Sequence, residues 1–246
     1  MADELKEPGG RVRLFVEAAL GLGADIAPGE GQAHYLLHVM RAKVGDHLRL
    51  FNGRDGEWVA EIAELKKNRV RLVAQKQTAA QASSPDLWLV FAPIKKTPAD
   101  YVTQKATELG VSVLQPVMTR RTIVSRVNTE RMLANAVEAA EQSERLDVPE
   151  IREPVSLEKL LASWPQGRRL IFCDEGGDAL PLAQALREES AECWAILSGP
   201  EGGFDPAERD MLRAQSFVVP VTLGPRILRA DTAALAALAV WGSVKG

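Results

Sequence analysis

The spacing of apolar positions changes near residue 80. Before it, apolar and polar residues alternate over short stretches. Residues 11–16, 47–52, 57–65 and 70–75 each carry the period of two expected of a strand with one buried face. The turns between the later strands are Gly53-Arg54-Asp55-Gly56 and Lys67-Asn68-Arg69, and Val44-Gly45-Asp46 leads into residue 47. Residues 31–41, with His34 and His38 one turn apart, predict a short amphipathic helix. Short strands joined by tight turns predict a small β-barrel.

Residues 77–84 (Gln-Thr-Ala-Ala-Gln-Ala-Ser-Ser) are small, polar and without period, as in a linker. From Pro85 onward the rhythm is different. Apolar runs at 87–92, 111–117, 169–173, 193–197 and 217–221 read as buried strands. Helical periods fall at 98–109, 129–145, 157–163, 180–188, 205–214 and 231–244. Strands alternating with helices predict a mostly parallel sheet covered on both faces. The expected organisation is therefore a β-barrel domain at 1–76, a linker at 77–84 and an α/β domain at 85–246.

Two loops of this second part share a grammar. After the run at 193–197 comes Ser198-Gly199-Pro200-Glu201-Gly202-Gly203-Phe204, then Asp205-Pro206 with Glu208, a capping-box helix start. After the run at 217–221 comes Leu223-Gly224-Pro225-Arg226-Ile227-Leu228-Arg229, followed by a helix rich in alanine. Glycines there let a ligand approach bare backbone, and loops at neighbouring strand ends of an α/β sheet face one crevice. Either loop alone also reads as a tight structural turn.

Composition narrows the class. The chain has 246 residues, 46% hydrophobic and 26% charged, as in ordinary globular proteins. No apolar run approaches the roughly 18–20 residues that span a bilayer, and residues 1–10 lack a signal-peptide pattern, so a cytoplasmic protein without membrane attachment is expected. Cys173 and Cys193 lack metal-ligand spacing and read as buried reduced thiols; His34 and His38 have no third ligand nearby, so no metal is expected. The net charge of −3 is unevenly spread: +1 over residues 1–76, +3 over 77–126 and −7 over 127–246. Phosphate binding needs only a local basic face, which the first half can supply.

The pair of motifs Gly199-Pro200-Glu201-Gly202-Gly203-Phe204 and Leu223-Gly224-Pro225-Arg226-Ile227-Leu228-Arg229 resembles the RsmE family, the ribosomal RNA methyltransferases that modify N3 of a uridine in 16S rRNA. Lys95-Lys96, residues 105–111 and Glu138-Ala139-Ala140-Glu141-Gln142-Ser143 extend the resemblance, and residues 34–45 with Leu50-Phe51-Asn52-Gly53 resemble the family's PUA-like RNA-binding domain. Two positions depart from the pattern: Met132 stands where the family has tryptophan, and Glu144 stands where it has glycine before Arg145.

The resemblance implies a SPOUT-type sheet with a C-terminal trefoil knot, preceded by the PUA-like barrel. It implies S-adenosylmethionine as cofactor, held by Leu197, Ser198, Gly199, Pro200, Gly202, Gly203, Leu223, Gly224, Ile227 and Leu228. It further implies a homodimer, acting on small-subunit ribosomal RNA or on the assembled subunit. Arg229, Arg226 and Glu201 are the catalytic candidates: uridine N3 must lose an imide proton, and a cation beside the uracil oxygens stabilises the anion. Arg11, Arg13, Arg41, Lys43, Arg54, Lys95, Lys96 and Lys105 are the candidates for RNA contact. Plainer readings remain open, with Lys105 and Glu108 as a surface pair and Glu201 as a loop residue. A Rossmann-type nucleotide enzyme, methylation of another RNA base and a non-catalytic RNA-binding module stay as alternatives. The first is disfavoured because the glycine loop comes late and lacks the G-x-G-x-x-G spacing.

Overall fold

The structure is a computed structural model that describes residues 12–66, 69–174 and 179–246, apart from the side chains of Lys96 and Thr97. Arg11, an expected RNA contact, lies outside the described residues, and so does the side chain of Lys96. The chain divides into two compact units. The first holds the described residues up to Ser83 together with Ala140–Val148; the second holds Ser84–Ala139 and Pro149–Gly246.

The first unit is built on β1 (Arg13–Phe15), β2 (Asp25–Ile26), α1 (Glu30–His34), β3 (His47–Phe51), β4 (Glu57–Lys66) and β5 (Arg69–Ala79). They form a five-stranded sheet in the order β1-β3-β4-β5-β2, with β1 parallel to β3 and the other pairs antiparallel. Alternation along the strands turns Leu14, Leu48, Leu50, Ile62 and Leu72 into one core. The strand expected at 70–75 is longer, and takes in the first residues of the stretch read as a linker. The helix expected at 31–41 is α1 continued by a π-helical turn, Tyr35–Val39, after which Arg41 takes a left-handed φ of 53°.

Arg13 corrects one expectation. Its side chain is buried and ion-paired to Glu57 at 2.7 Å, and stacks on Phe51. Its two terminal nitrogens donate to the carbonyls of Ala140, Glu141 and Arg145. With all its nitrogens engaged inward, Arg13 holds the first unit together and has no group left for RNA. Glu141, from the family-like helix motif, likewise accepts the Phe15 N–H at 2.9 Å.

The second unit contains β6 (Leu87–Phe91), α2 (Lys96–Glu108), β7 (Val113–Met118), α3 (Thr129–Gln142, its last residues counted with the first unit), β8 (Glu150–Ile151), β9 (Val155–Ser156), α4 (Leu157–Ala162), β10 (Arg168–Cys173), β11 (Leu180–Pro181), α5 (Leu182–Glu188), β12 (Cys193–Ser198), α6 (Pro206–Arg213), β13 (Val218–Thr222) and α7 (Ala230–Lys245). The sheet runs β11-β13-β10-β12-β6-β7-β8, with β9 beside β7, and its pairs are parallel. The apolar runs supply both faces, as buried parallel strands do. Leu87, Leu89 and Phe91 join one core with Ala234, Ala237, Leu238 and Trp241 of α7; Trp88 and Val90 join the other with Leu157 and Leu212. Part of the small-residue face of α7, Ala234 and Ala237, is thus covered by the unit's own core. Among the described residues no helix is long and apolar enough to cross a membrane, and no group of metal-ligating side chains could hold an ion.

Candidate active site

Strand β10 lies between β12 and β13, so the two glycine loops flank it rather than leaving adjacent strands as expected. All three strands are parallel and end together, and their carboxyl ends open into a cavity of about 720 Å³. That size suits a small-molecule ligand. Both loops line it. Of the cofactor candidates, Ser198, Gly199, Pro200, Gly202, Gly203, Leu223, Gly224, Ile227 and Leu228 are on its wall, while Leu197 is buried in the core below. Arg226, Arg229, Glu201 and Lys95 are on the wall too.

The first loop is held from several sides. Ser198 is buried and donates its hydroxyl to the Ala230 carbonyl at 3.0 Å, joining the end of β12 to the start of α7. The Phe204 ring folds back under Gly199 and meets Phe172 edge-on at 5.2 Å. A Cβ on Gly199 would come within 2.5 Å of that ring. Gly203 takes a φ of 67° in a turn closed onto the Pro200 carbonyl at 2.9 Å. Asp205 then caps α6 by accepting the Ala207 N–H, and Glu208 accepts the Asp205 N–H at 3.1 Å, the box the sequence announces.

The second loop is open. Gly224 sits at a φ of 110°, and its N–H donates to the Thr222 hydroxyl at 3.2 Å. Residues 224–227 and Arg229 are exposed, Ile227 to 83%. The side chains of Arg226, Arg229 and Glu201 make no hydrogen bond or ion pair with the described residues, which leaves three charged groups available at the cavity. Cys173 is on the wall as well, but burial pushes its thiol to about 12, so it is no thiolate nucleophile at neutral pH.

Two further residues belong to this site and were missed from sequence. Asp174 follows β10, is 4% exposed, and accepts from Arg209 and Arg213 of α6 at 2.7 Å each. Arg121, in the turn after β7, lines the cavity and donates to the Gly202 carbonyl at 3.1 Å. The signal was positional: in parallel α/β sheets, polar residues just past the carboxyl end of a strand face the ligand. Of the RNA candidates in the first unit, Arg41 and Lys43 are exposed, and the Arg54 guanidinium is tied to the Glu17 carbonyl. Lys105 pairs with Glu108 at 2.7 Å on the surface of α2.

A parallel sheet with paired glycine loops over one cavity, in a chain that also has a small β-rich unit, is here the architecture of an RNA methyltransferase, the class to which both family models assign it. Residues 80–242 match the family model "RNA methyltransferase domain" and residues 28–75 match "RNA methyltransferase PUA domain". The chain is 32% identical over 232 residues to the ribosomal RNA small subunit methyltransferase E of Rickettsia conorii, covering 92% of this chain and 93% of the relative. It is 31% identical to the protein of that name from Synechocystis, covering 92% of this chain and 76% of the relative. The crystal structure of the Neisseria gonorrhoeae ribosomal RNA small subunit methyltransferase E, bound to S-adenosyl methionine, superposes with a TM-score of 0.86 at 27% identity, covering 95% of this chain and 98% of that one. The chain belongs to the ribosomal RNA small subunit methyltransferase E family.

Proposed function

We propose that this protein transfers the methyl group of S-adenosylmethionine to N3 of a uridine in small-subunit ribosomal RNA. The observation that carries the reading is the pair of glycine loops at the ends of β12 and β13, which share one cavity with two unpartnered arginines. The wall fits the donor. A Cβ on Gly203 or Gly224 would meet nothing within 4 Å, and one on Gly202 only the Arg121 side chain at 3.8 Å, so bare backbone faces open space. In this reading Ser198, Gly199, Pro200, Gly202 and Gly203 hold one side of the donor, and Leu223, Gly224, Ile227 and Leu228 the other. When bound, S-adenosylmethionine supplies a methyl group already activated by its sulfonium.

The protein's remaining task is alignment and charge. Fixing two reactants in line can lower the barrier by about 7–11 kcal/mol. Arg229 or Arg226 stabilises the uracil oxygens as the imide proton leaves, and Glu201 orients the base or the donor's amino group. Because N3 faces the pairing partner of a uridine, the target has to be unpaired or flipped out. Arg41, Lys43, Arg54, Lys95 and Lys105 hold the RNA backbone, with the first unit, up to the stretch read as a linker, as the main RNA anchor. A trefoil knot at the second loop, a homodimer and action in the cytoplasm complete the reading.

The test is methyl transfer from labelled donor to small-subunit particles and to free small-subunit RNA, followed by mapping of the modified base. Label at a uridine N3 supports the assignment; label elsewhere, or in neither substrate, overturns it.

A further inference from the structure

Glu208 does more than close a capping box. Its side chain is buried in the first turn of α6, with the residue 1% exposed. One carboxylate oxygen accepts the Asp205 N–H; the other accepts the backbone N–H of Arg120 at 2.8 Å, from the turn after β7. That turn is closed on itself by Thr119 and Thr122, whose hydroxyls lie 2.8 Å apart. A buried carboxylate taking one N–H from each of two loops ties them together, since losing either bond leaves a buried polar group unsatisfied. The tie presents two arginines beside the first glycine loop. Arg120 pairs with Asp205 at 3.1 Å. Arg121 donates to the Gly202 carbonyl, lies 3.9 Å from Asp205 and keeps 47% of its side chain exposed at the cavity.

The charge around the opening is lopsided. Lys95, Arg121, Arg226 and Arg229 line it, while the carboxylates there are Glu201, Asp231, which accepts the Thr232 N–H in the first turn of its own helix, and Asp174, which two arginines already occupy. A base that enters the cavity draws its flanking phosphates to this rim. Arg121 spends only part of its five-donor fork on a neutral carbonyl, and that fork suits two phosphate oxygens at once. Building on the proposed function, we propose that Arg121 contacts the RNA phosphate beside the target nucleotide and that Glu208 is the residue that positions it.

The test uses the full chain, a small-subunit ribosomal RNA transcript in filter binding at several salt concentrations, and calorimetry with S-adenosylmethionine. Arg121→Ala weakens RNA binding about tenfold at low salt and lowers the salt slope by about one, the signature of one lost phosphate contact, with donor affinity kept. Arg121→Lys restores the slope but not the full affinity, because an ammonium cannot make the paired contact. Glu208→Gln, whose amide meets one N–H with another donor, raises KM for RNA by more than it lowers kcat or donor affinity. An unchanged salt slope in Arg121→Ala overturns the phosphate contact, and so does a loss of donor affinity in its place. Equal falls in donor affinity and kcat for Glu208→Gln overturn the positioning role. Methyl transfer by the unaltered chain is a separate measurement; if it fails, the proposed function falls, while the salt slope still decides the role of Arg121.

Discussion

The two glycine loops of the second unit look alike in sequence and are opposite in construction. The loop after β12 is fixed by a buried serine, an aromatic ring under Gly199, a capped helix and the carboxylate of Glu208. The loop after β13 has the Thr222 hydroxyl bonded to the Gly224 backbone at its start and then an exposed run with Ile227 projecting to 83% exposure. A rigid wall of backbone presents donors and acceptors without reorganisation, which is what alignment of a methyl donor demands. An open loop with two free arginines leaves charge for whatever arrives later. We therefore read the first loop as preformed and the second as completed on binding.

The largest effect expected from breaking this contrast is in the first loop. Gly199→Val drives a branched side chain into the buried Phe204 ring, which cannot swing away because Phe172 stands behind it. Overpacking of this kind costs about 1–3 kcal/mol, so the melting temperature falls and donor binding is lost with it. A variant that melts like the unaltered chain would show that the ring is not fixed. Gly202→Val, two residues from the buried Pro200, separates the two consequences. Its Cβ meets only Arg121 at ordinary contact distance, so stability is kept, while calorimetry shows donor affinity down by at least about tenfold, since the branched side chain fills space that suits the donor. Unchanged affinity would place the donor elsewhere.

In the second loop the expected effect is on rate alone. Arg229→Ala removes an exposed side chain that makes no hydrogen bond or ion pair with the described residues, so the fold and RNA binding are kept. Single-turnover methylation slows by about one or more powers of ten, the scale of losing a charge-stabilising donor. If RNA binding falls and the turnover rate does not, Arg229 is a phosphate contact.

The legibility of these loops follows from the range of the forces that shape them. Both strand-to-helix junctions could be read because apolar runs, Gly-Pro pairs and the Asp205–Glu208 box act within a few residues. Membership of the RNA methyltransferase family and the parallel α/β sheet were legible for the same reason. What could not be read depends on distant partners. Insertion of β10 between β12 and β13 is a choice of sheet order. Arg13 has the look of a surface cation, and is buried because Glu57 and the carbonyls of Ala140, Glu141 and Arg145 converge on it. The grouping of Ala140–Val148 with the first unit is invisible in chain order. Glu208 could be seen as a cap, but not as the acceptor for Arg120, 88 residues earlier.

The smallest expected effect probes the tie at the start of the open loop. Thr222 exchanges bonds with Gly224: its hydroxyl accepts the Gly224 N–H at 3.2 Å and donates to the Gly224 carbonyl at 3.3 Å. Gly224 needs that help little for its own geometry, because a glycine reaches a φ of 110° without a Cβ clash. The bonds are partly solvent-exposed, so Thr222→Val, which keeps the shape and removes the hydroxyl, costs about 0.5–1.5 kcal/mol at most. Water replaces the lost partner, and the melting temperature moves by no more than a few degrees. Donor affinity is the sharper readout. If the second loop is completed on binding, freeing its first turn adds ordering cost at that moment, and affinity falls a few-fold with a less favourable binding entropy. If the loop is as preformed as its neighbour, Thr222→Val changes stability and affinity together and the entropy stays put, which would erase the contrast between the two loops.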